Sequence, residues 1–69
     1  MLEKNCLYQI QPLLLTIMDH ISKKDVILNQ DEIVKVLEFK GINVKIQREK
    51  TKEILEVSKQ GLDFAVIKI

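Results

Sequence analysis

The sequence predicts an α+β fold, two N-terminal helices packed on one face of a three-stranded antiparallel meander in the order α-α-β-β-β. Three observations predict it. Apolar residues recur at three-and-four spacing through the first third of the chain. The stretch from Asn29 to Gly41 carries helix punctuation at both ends. Residues 44–57 collect favourable cross-strand pairs only when folded back on themselves.

The first helix rests on Leu2, Cys6, Ile10, Leu13, Leu14, Ile17, Met18 and Ile21, with Pro12 suited to the first turn of a helix beginning near Gln11. The segment Leu13-Leu14-Leu15-Thr16-Ile17-Met18 is apolar on nearly every side, and a helix of that kind needs cover on more than one side. In the second helix Asn29 is the cap, Glu32 stands at the reciprocal capping-box position and Leu28 staples onto Ile33. Asp31 and Glu32 in the first turn and Lys40 in the last each match the helix dipole. Gly41 suits the left-handed residue that ends a helix, and Ile33, Val36 and Leu37 form the buried stripe, with Val34 alongside.

The meander begins with a hairpin turning at Lys50-Thr51. The opposed pairs are Glu49–Lys52, Arg48–Glu53, Gln47–Ile54, Ile46–Leu55, Lys45–Glu56 and Val44–Val57. Three are opposite charges and two are matched aliphatics, and only this register collects them all. Val44, Ile46, Leu55 and Val57 then share a face. A four-residue loop, Ser58 to Gly61, leads into a last strand over Leu62–Ile69, with Leu62, Phe64 and Val66 on the same face. Asp25 to Leu28 is a candidate short edge strand.

Length and composition bound the rest. A chain of 69 residues holds one small domain, residues 1–69, and buries only about 60% of its unfolded surface. Cys6 is the one cysteine, so no internal disulfide supplements the core, and Cys6 and His20 are too few to hold a metal. Association with a partner is the remaining supplement. Eleven basic residues against ten acidic ones argue against an electrostatic grip on nucleic acid or on an anionic membrane. Only Arg48 offers a guanidinium fork. No signal peptide or membrane span is visible, and a lone thiol points to the cytoplasm.

Two stretches admit another reading. "QDEIVKVLEFKGINV" (Gln30 to Val44) looks like the first helix of a helix-turn-helix with its glycine turn, and "ILEVSKQGL" (Ile54 to Leu62) like the end of a recognition helix entering a wing. From Leu28 onward the chain thus resembles the winged-helix and arginine-repressor type of DNA-binding domain. That resemblance implies a winged helix-turn-helix-like fold and a transcriptional regulator using residues 47–60, with Lys45, Arg48, Lys50 and Lys52 as nucleic-acid contacts. The pattern departs from it after Gly61, where one strand's length of chain stands in place of a two-stranded wing.

Catalytic chemistry finds no footing. Cys6 and His20 would lie about 21 Å apart along one straight helix. Asp31-Glu32, the one adjacent acidic pair, serves the helix start, and no glycine-rich phosphate loop exists. No cofactor, metal or small-molecule substrate is indicated. The unexplained feature is apolar surplus. Leu14, Leu15 and Met18 on the first helix, and Ile54, Ala65, Ile67 and Ile69 on the second face of the sheet, exceed what one small core can absorb. The expected function is a non-enzymatic protein–protein interaction module, a small regulatory protein of the cytoplasm. Its expected partner is itself, as a homodimer, or another protein.

Overall fold

Alternation, not three-and-four spacing, governs the first forty residues. The computed structural model describes all 69 residues, Met1–Ile69. It contains seven strands and one short helix. These are β1 (Leu7–Ile10), β2 (Leu14–Asp19), β3 (Lys24–Asn29), β4 (Ile33–Lys40), β5 (Asn43–Arg48), β6 (Ile54–Ser58), α1 (Lys59–Asp63) and β7 (Val66–Lys68). Five strands form an antiparallel sheet in the order β6-β5-β4-β1-β7, and β2 and β3 form a separate hairpin. The predicted α+β architecture is therefore corrected to a mainly β one. The winged-helix alternative falls with it, because residues 47–60 run through the end of β5, a turn, β6 and the start of α1.

The first predicted helix is the hairpin β2–β3. Ile17 and Leu28 point into the core, with Leu15 and Val26 packed against them, while Leu14, Thr16, Met18 and Ile27 point away. The run Leu13-Leu14-Leu15 is greasy on all sides because both faces of a strand are apolar there, not because a helix is buried all round. Thr16, Ile17, Val26 and Ile27 are β-branched, which favours the extended backbone.

The second predicted helix is β4, and its punctuation is real but belongs to turns. The Asn29 amide donates to Glu32 Oε2 at 3.0 Å, the capping-box contact, and the Glu32 amide donates back to the Asn29 carbonyl at 3.1 Å. Asp31 between them has φ +69°, which no right-handed helix accommodates, so the contact closes the β3–β4 turn. Gly41 does adopt φ +62°, in the two-residue loop between paired Lys40 and Asn43. Ile42 keeps a negative φ, the pattern of a II′ hairpin turn. Val34 and Val36 alternate into the core, and Leu37 is then an extra residue, a bulge between Val36 and Glu38. After it Glu38 lies opposite Lys45 and Phe39 opposite Val44, so the strand's end bends with its inward face reset.

The hairpin of residues 44–57 forms in the expected register: Gln47–Ile54, Ile46–Leu55, Lys45–Glu56 and Val44–Val57. Its tip is a four-residue loop, Glu49 to Lys52, between Arg48 and Glu53. The Lys52 amide donates to the Arg48 carbonyl at 2.7 Å, and Lys52 carries φ +64°. Beyond Ser58 the expectation fails. Residues 59–63 form α1, capped by the Ser58 hydroxyl accepting from the Gly61 amide at 3.1 Å. Leu62 is buried from the helix, Phe64 is exposed, and β7 pairs with β1 rather than with β6. Beside β1 this three-residue strand keeps Val66 against the core.

The core is a single cluster of twelve buried residues. Tyr8, Ile10, Val34, Val36, Val44, Ile46, Leu55 and Val57 come from the sheet, Ile17 and Leu28 from the hairpin, Leu62 from α1 and Leu2 from the N-terminal segment. That segment is tied down by the Tyr8 hydroxyl, which accepts from the Glu3 amide at 2.6 Å. Leu28 is the one hairpin side chain with no exposure at all. Leu28→Ala is expected to cost about 2–5 kcal/mol, a large share of the stability of so small a chain. Urea unfolding followed by circular dichroism measures it, and a loss below about 1 kcal/mol would show that the hairpin contributes little to the core.

Candidate functional site

The hairpin is joined to the main sheet by a buried carboxylate. Asp19 ends β2 and is 3% exposed, the one buried charged residue of the chain. Its Oδ1 accepts from the Ile21 amide at 3.1 Å and from the Glu56 amide of β6 at 2.9 Å, and its Oδ2 accepts from the Ser22 amide at 3.1 Å. The His20 amide donates to the Glu56 carbonyl at 2.7 Å. Both backbone groups of Glu56 are thereby satisfied from the hairpin side. Burial pushes the Asp19 carboxyl up, but the amides of Glu56, Ile21 and Ser22 outweigh it and hold the pKa below the ordinary aspartate value.

A second polar assembly lies at the opposite ends of β4 and β5. Arg48 offers Nε and Nη2 to the two oxygens of Glu32 and Nη1 to Glu53 at 3.1 Å. Its pKa is raised, chiefly by the hydrogen bond to Glu32. Glu32 is desolvated, which raises its pKa, yet the guanidinium and the Asn29 amide bring it below the usual glutamate value. These residues floor an open polar cleft of about 610 Å³ between the β3–β4 turn and the β5–β6 tip, walled by Asp31, Glu49, Lys50 and Thr51. Glu49 Oε2 is without a hydrogen-bond donor there, with Lys52 Nζ 3.6 Å away. Arg48 is committed to Glu32 and Glu53, so the cleft presents no free guanidinium fork.

Of the four residues expected to face nucleic acid, Arg48, Lys50 and Lys52 gather at the β5–β6 tip among acidic neighbours, while Lys45 lies along the strand. Arg48 is committed to two carboxylates, and Lys45 lies opposite Glu56 on the outer face of the sheet. Lys50 and Lys52 sit at the hairpin tip, Lys52 beside Glu49.

The seven residues expected to contact a partner divide into groups. Leu14 and Met18 lie together on the outward face of β2, 61% and 44% exposed, beside Ile27 of β3 at 50%. Sequence reasoning missed Ile27, which the alternation Leu14, Thr16, Met18 against Ile27 finds once the segment is read as a strand pair. Leu15 faces inward and is half-buried against the core. Ile67 and Ile69 are exposed on the outer side of the β1–β7 edge, near Leu7. Ile54 is at the far edge of the same sheet, and Ala65 is buried at 7% exposure, so neither joins a shared patch.

Asp19 gives a pH signature. Its folded pKa lies below the unfolded value near 3.9, so its contribution is complete above about pH 4 and is lost as pH falls through the folded pKa. Asp19→Asn is expected to cost about 1–3 kcal/mol at neutral pH, because the Ser22 or Glu56 amide loses an acceptor. Its stability should also fall less steeply in acid than that of the wild type. Urea midpoints between pH 2 and 7 measure both, and parallel pH curves would show that Asp19 does not carry the acid sensitivity.

Arg48→Met leaves the Glu32 carboxylate, whose side chain is 6% exposed, without its cation. It is expected to cost about 3 kcal/mol. Thermal unfolding of this variant beside Glu32→Gln/Arg48→Met measures it, the double change restoring part of the loss.

Compared with protein-family models, with curated proteins and with solved structures, the chain matches none.

Proposed function

We propose that this chain is a non-enzymatic interaction module, a small cytoplasmic regulator or adaptor that works by occupying a surface, with a second copy of itself as its first partner. The observation that carries this reading is the outward face of the β2–β3 hairpin. A two-stranded hairpin packed on a sheet needs one apolar side, and this one has two. Leu28 and Ile17 fill the core, while Leu14, Met18 and Ile27 stand in solvent on the opposite face. Exposed apolar residues scattered singly are ordinary, but three on one face of a small hairpin form a patch.

Further support is chemical. In the polar cleft Arg48 is committed to Glu32 and Glu53, so its guanidinium is not free to bind a ligand, and Cys6 precedes β1 while His20 follows β2. A single free cysteine suits the reducing cytoplasm. The one helix has five residues, too short to cross a membrane.

The test is substitution of the patch. Leu14→Ser and Met18→Ser together change only exposed side chains and are expected to leave the thermal midpoint nearly unchanged. They should lower the weight-average mass at high protein concentration and reduce binding of a hydrophobic dye. A wild-type chain that stays monomeric at every concentration and binds no dye would overturn the reading.

A further inference from the structure

We infer that two copies of this chain join by antiparallel pairing of β3 of one with β7 of the other, Ile27 opposite Val66 and Asp25 opposite Lys68. This deepens the interaction reading, on which it rests, by naming the partner strand and its register.

The alternation of hydrogen bonds along each ladder leaves particular backbone groups free. The Gln30 amide donates to the Leu13 carbonyl at 3.1 Å, one step beyond the paired Leu14 and Asn29. In an antiparallel ladder bonded pairs alternate. The bonded pairs of the hairpin are therefore Leu15–Leu28, Ile17–Val26 and Asp19–Lys24, and Asp25, Ile27 and Asn29 turn their N–H and C=O groups away from β2. Asn29 spends both on Glu32. Asp25 and Ile27 take part in none of the turn, loop or cap bonds.

The same alternation holds along β7. The Ile69 amide donates to the Leu7 carbonyl at 3.1 Å and the Gln11 amide to the Ala65 carbonyl at 2.8 Å. Odd-numbered residues thus bond to β1, and Val66 and Lys68 face outward from the sheet's edge. The other edge of that sheet is closed at its middle, since both backbone groups of Glu56 are taken by Asp19 and His20. On β2, Leu14, Thr16 and Met18 likewise turn their backbone groups away from β3, but that side of the hairpin lies against β6 of the same chain. Two short edges are left with no strand beside them, β3 and β7, each with two residues presenting donors and acceptors.

Only one pairing of those edges matches their side chains. Antiparallel β3 on β7 makes four backbone hydrogen bonds, sets Ile27 against Val66 and sets Asp25 against Lys68. Val26 and Ile67 face each other on the opposite side. Pairing β3 with another β3 through the same free groups puts Asp25 against Ile27 twice, and β7 with β7 puts Val66 against Lys68 twice. Opposite charges and matched aliphatics favour a cross-strand pair, and mismatched ones do not. Asp25 has no ion-pair partner within its own chain, and Lys68 holds only the exposed Glu3. Such a head-to-tail contact closes into a ring or extends as a chain according to its rotation, and in either case uses both edges of every interior copy.

The experiment is a charge exchange, read by sedimentation velocity over a range of concentrations. Asp25→Lys alone and Lys68→Glu alone are each expected to weaken self-association by about tenfold, since each replaces an attraction with a like-charge pair. The double variant, and an equimolar mixture of the two single variants, are expected to regain it. Both positions are exposed, and amide exchange of the core strands checks that each variant is folded. Single variants that associate as the wild type does, or a double variant that fails to recover, would overturn the register. Loss of association on Leu14→Ser/Met18→Ser with no response to the charge exchange would leave the interaction reading standing and remove the strand pairing alone.

Discussion

A carboxylate removed from water must find donors, and in this chain it finds them in two different parts of the fold. Asp19 accepts from two amides of its own turn and one of β6. An unsatisfied buried charge costs several kcal/mol, so a hairpin shifted off β6 would give up one of the donors that hold Asp19. The junction fixes the end of β2 against β6 while Ile17 and Leu28 pack into the core. It is a polar contact that positions an apolar one.

The surfaces left over follow from the same junction. Because the hairpin tip is held on β6, its outer strand β3 and the distal strand β7 are the edges without neighbours. Because the hairpin is only two strands wide, burying one face necessarily presents the other. In a larger protein a helix or a further sheet would cover Leu14, Met18 and Ile27. Twelve core residues are about what 69 can supply, and Leu2 already has to be recruited from the N-terminal segment. Exposed apolar surface and open edges are therefore linked features of one small architecture, and an interaction role uses both.

Legibility in the sequence varied by the range of the interaction that decides each element. The hairpin from Val44 to Val57 could be read residue by residue, because its partners are close in the chain and its charges and aliphatics agree in one alignment only. The stretch from Asn29 to Gly41 was misread for an instructive reason. Asn29, Glu32 and Gly41 make the contacts or adopt the backbone angles expected of them, but a turn between strands needs the same chemistry as the end of a helix. Ile33, Val34, Val36 and Leu37 satisfy both periodicities, and the β-branching of Ile33, Val34 and Val36 was the signal that leaned toward strand. The patch residues Leu14 and Met18 were found as surplus, while Ile27 was missed because its neighbourhood exists only once β2 and β3 pair. Asp19 gave no sign of its role, since its decisive donor is 37 residues away.

By itself, then, the sequence determined the local events of residues 44–57, the reversal near Lys50-Thr51 and how β5 meets β6, and it showed that apolar side chains are in surplus. Those rest on contacts between near neighbours and on counting apolar side chains against a small core. The tertiary structure alone decided that the first forty residues are extended, that β7 lies beside β1, and that Asp19 holds the hairpin in place. Short apolar runs are stable as helix or strand according to what they pack against, and that choice belongs to partners distant in the chain.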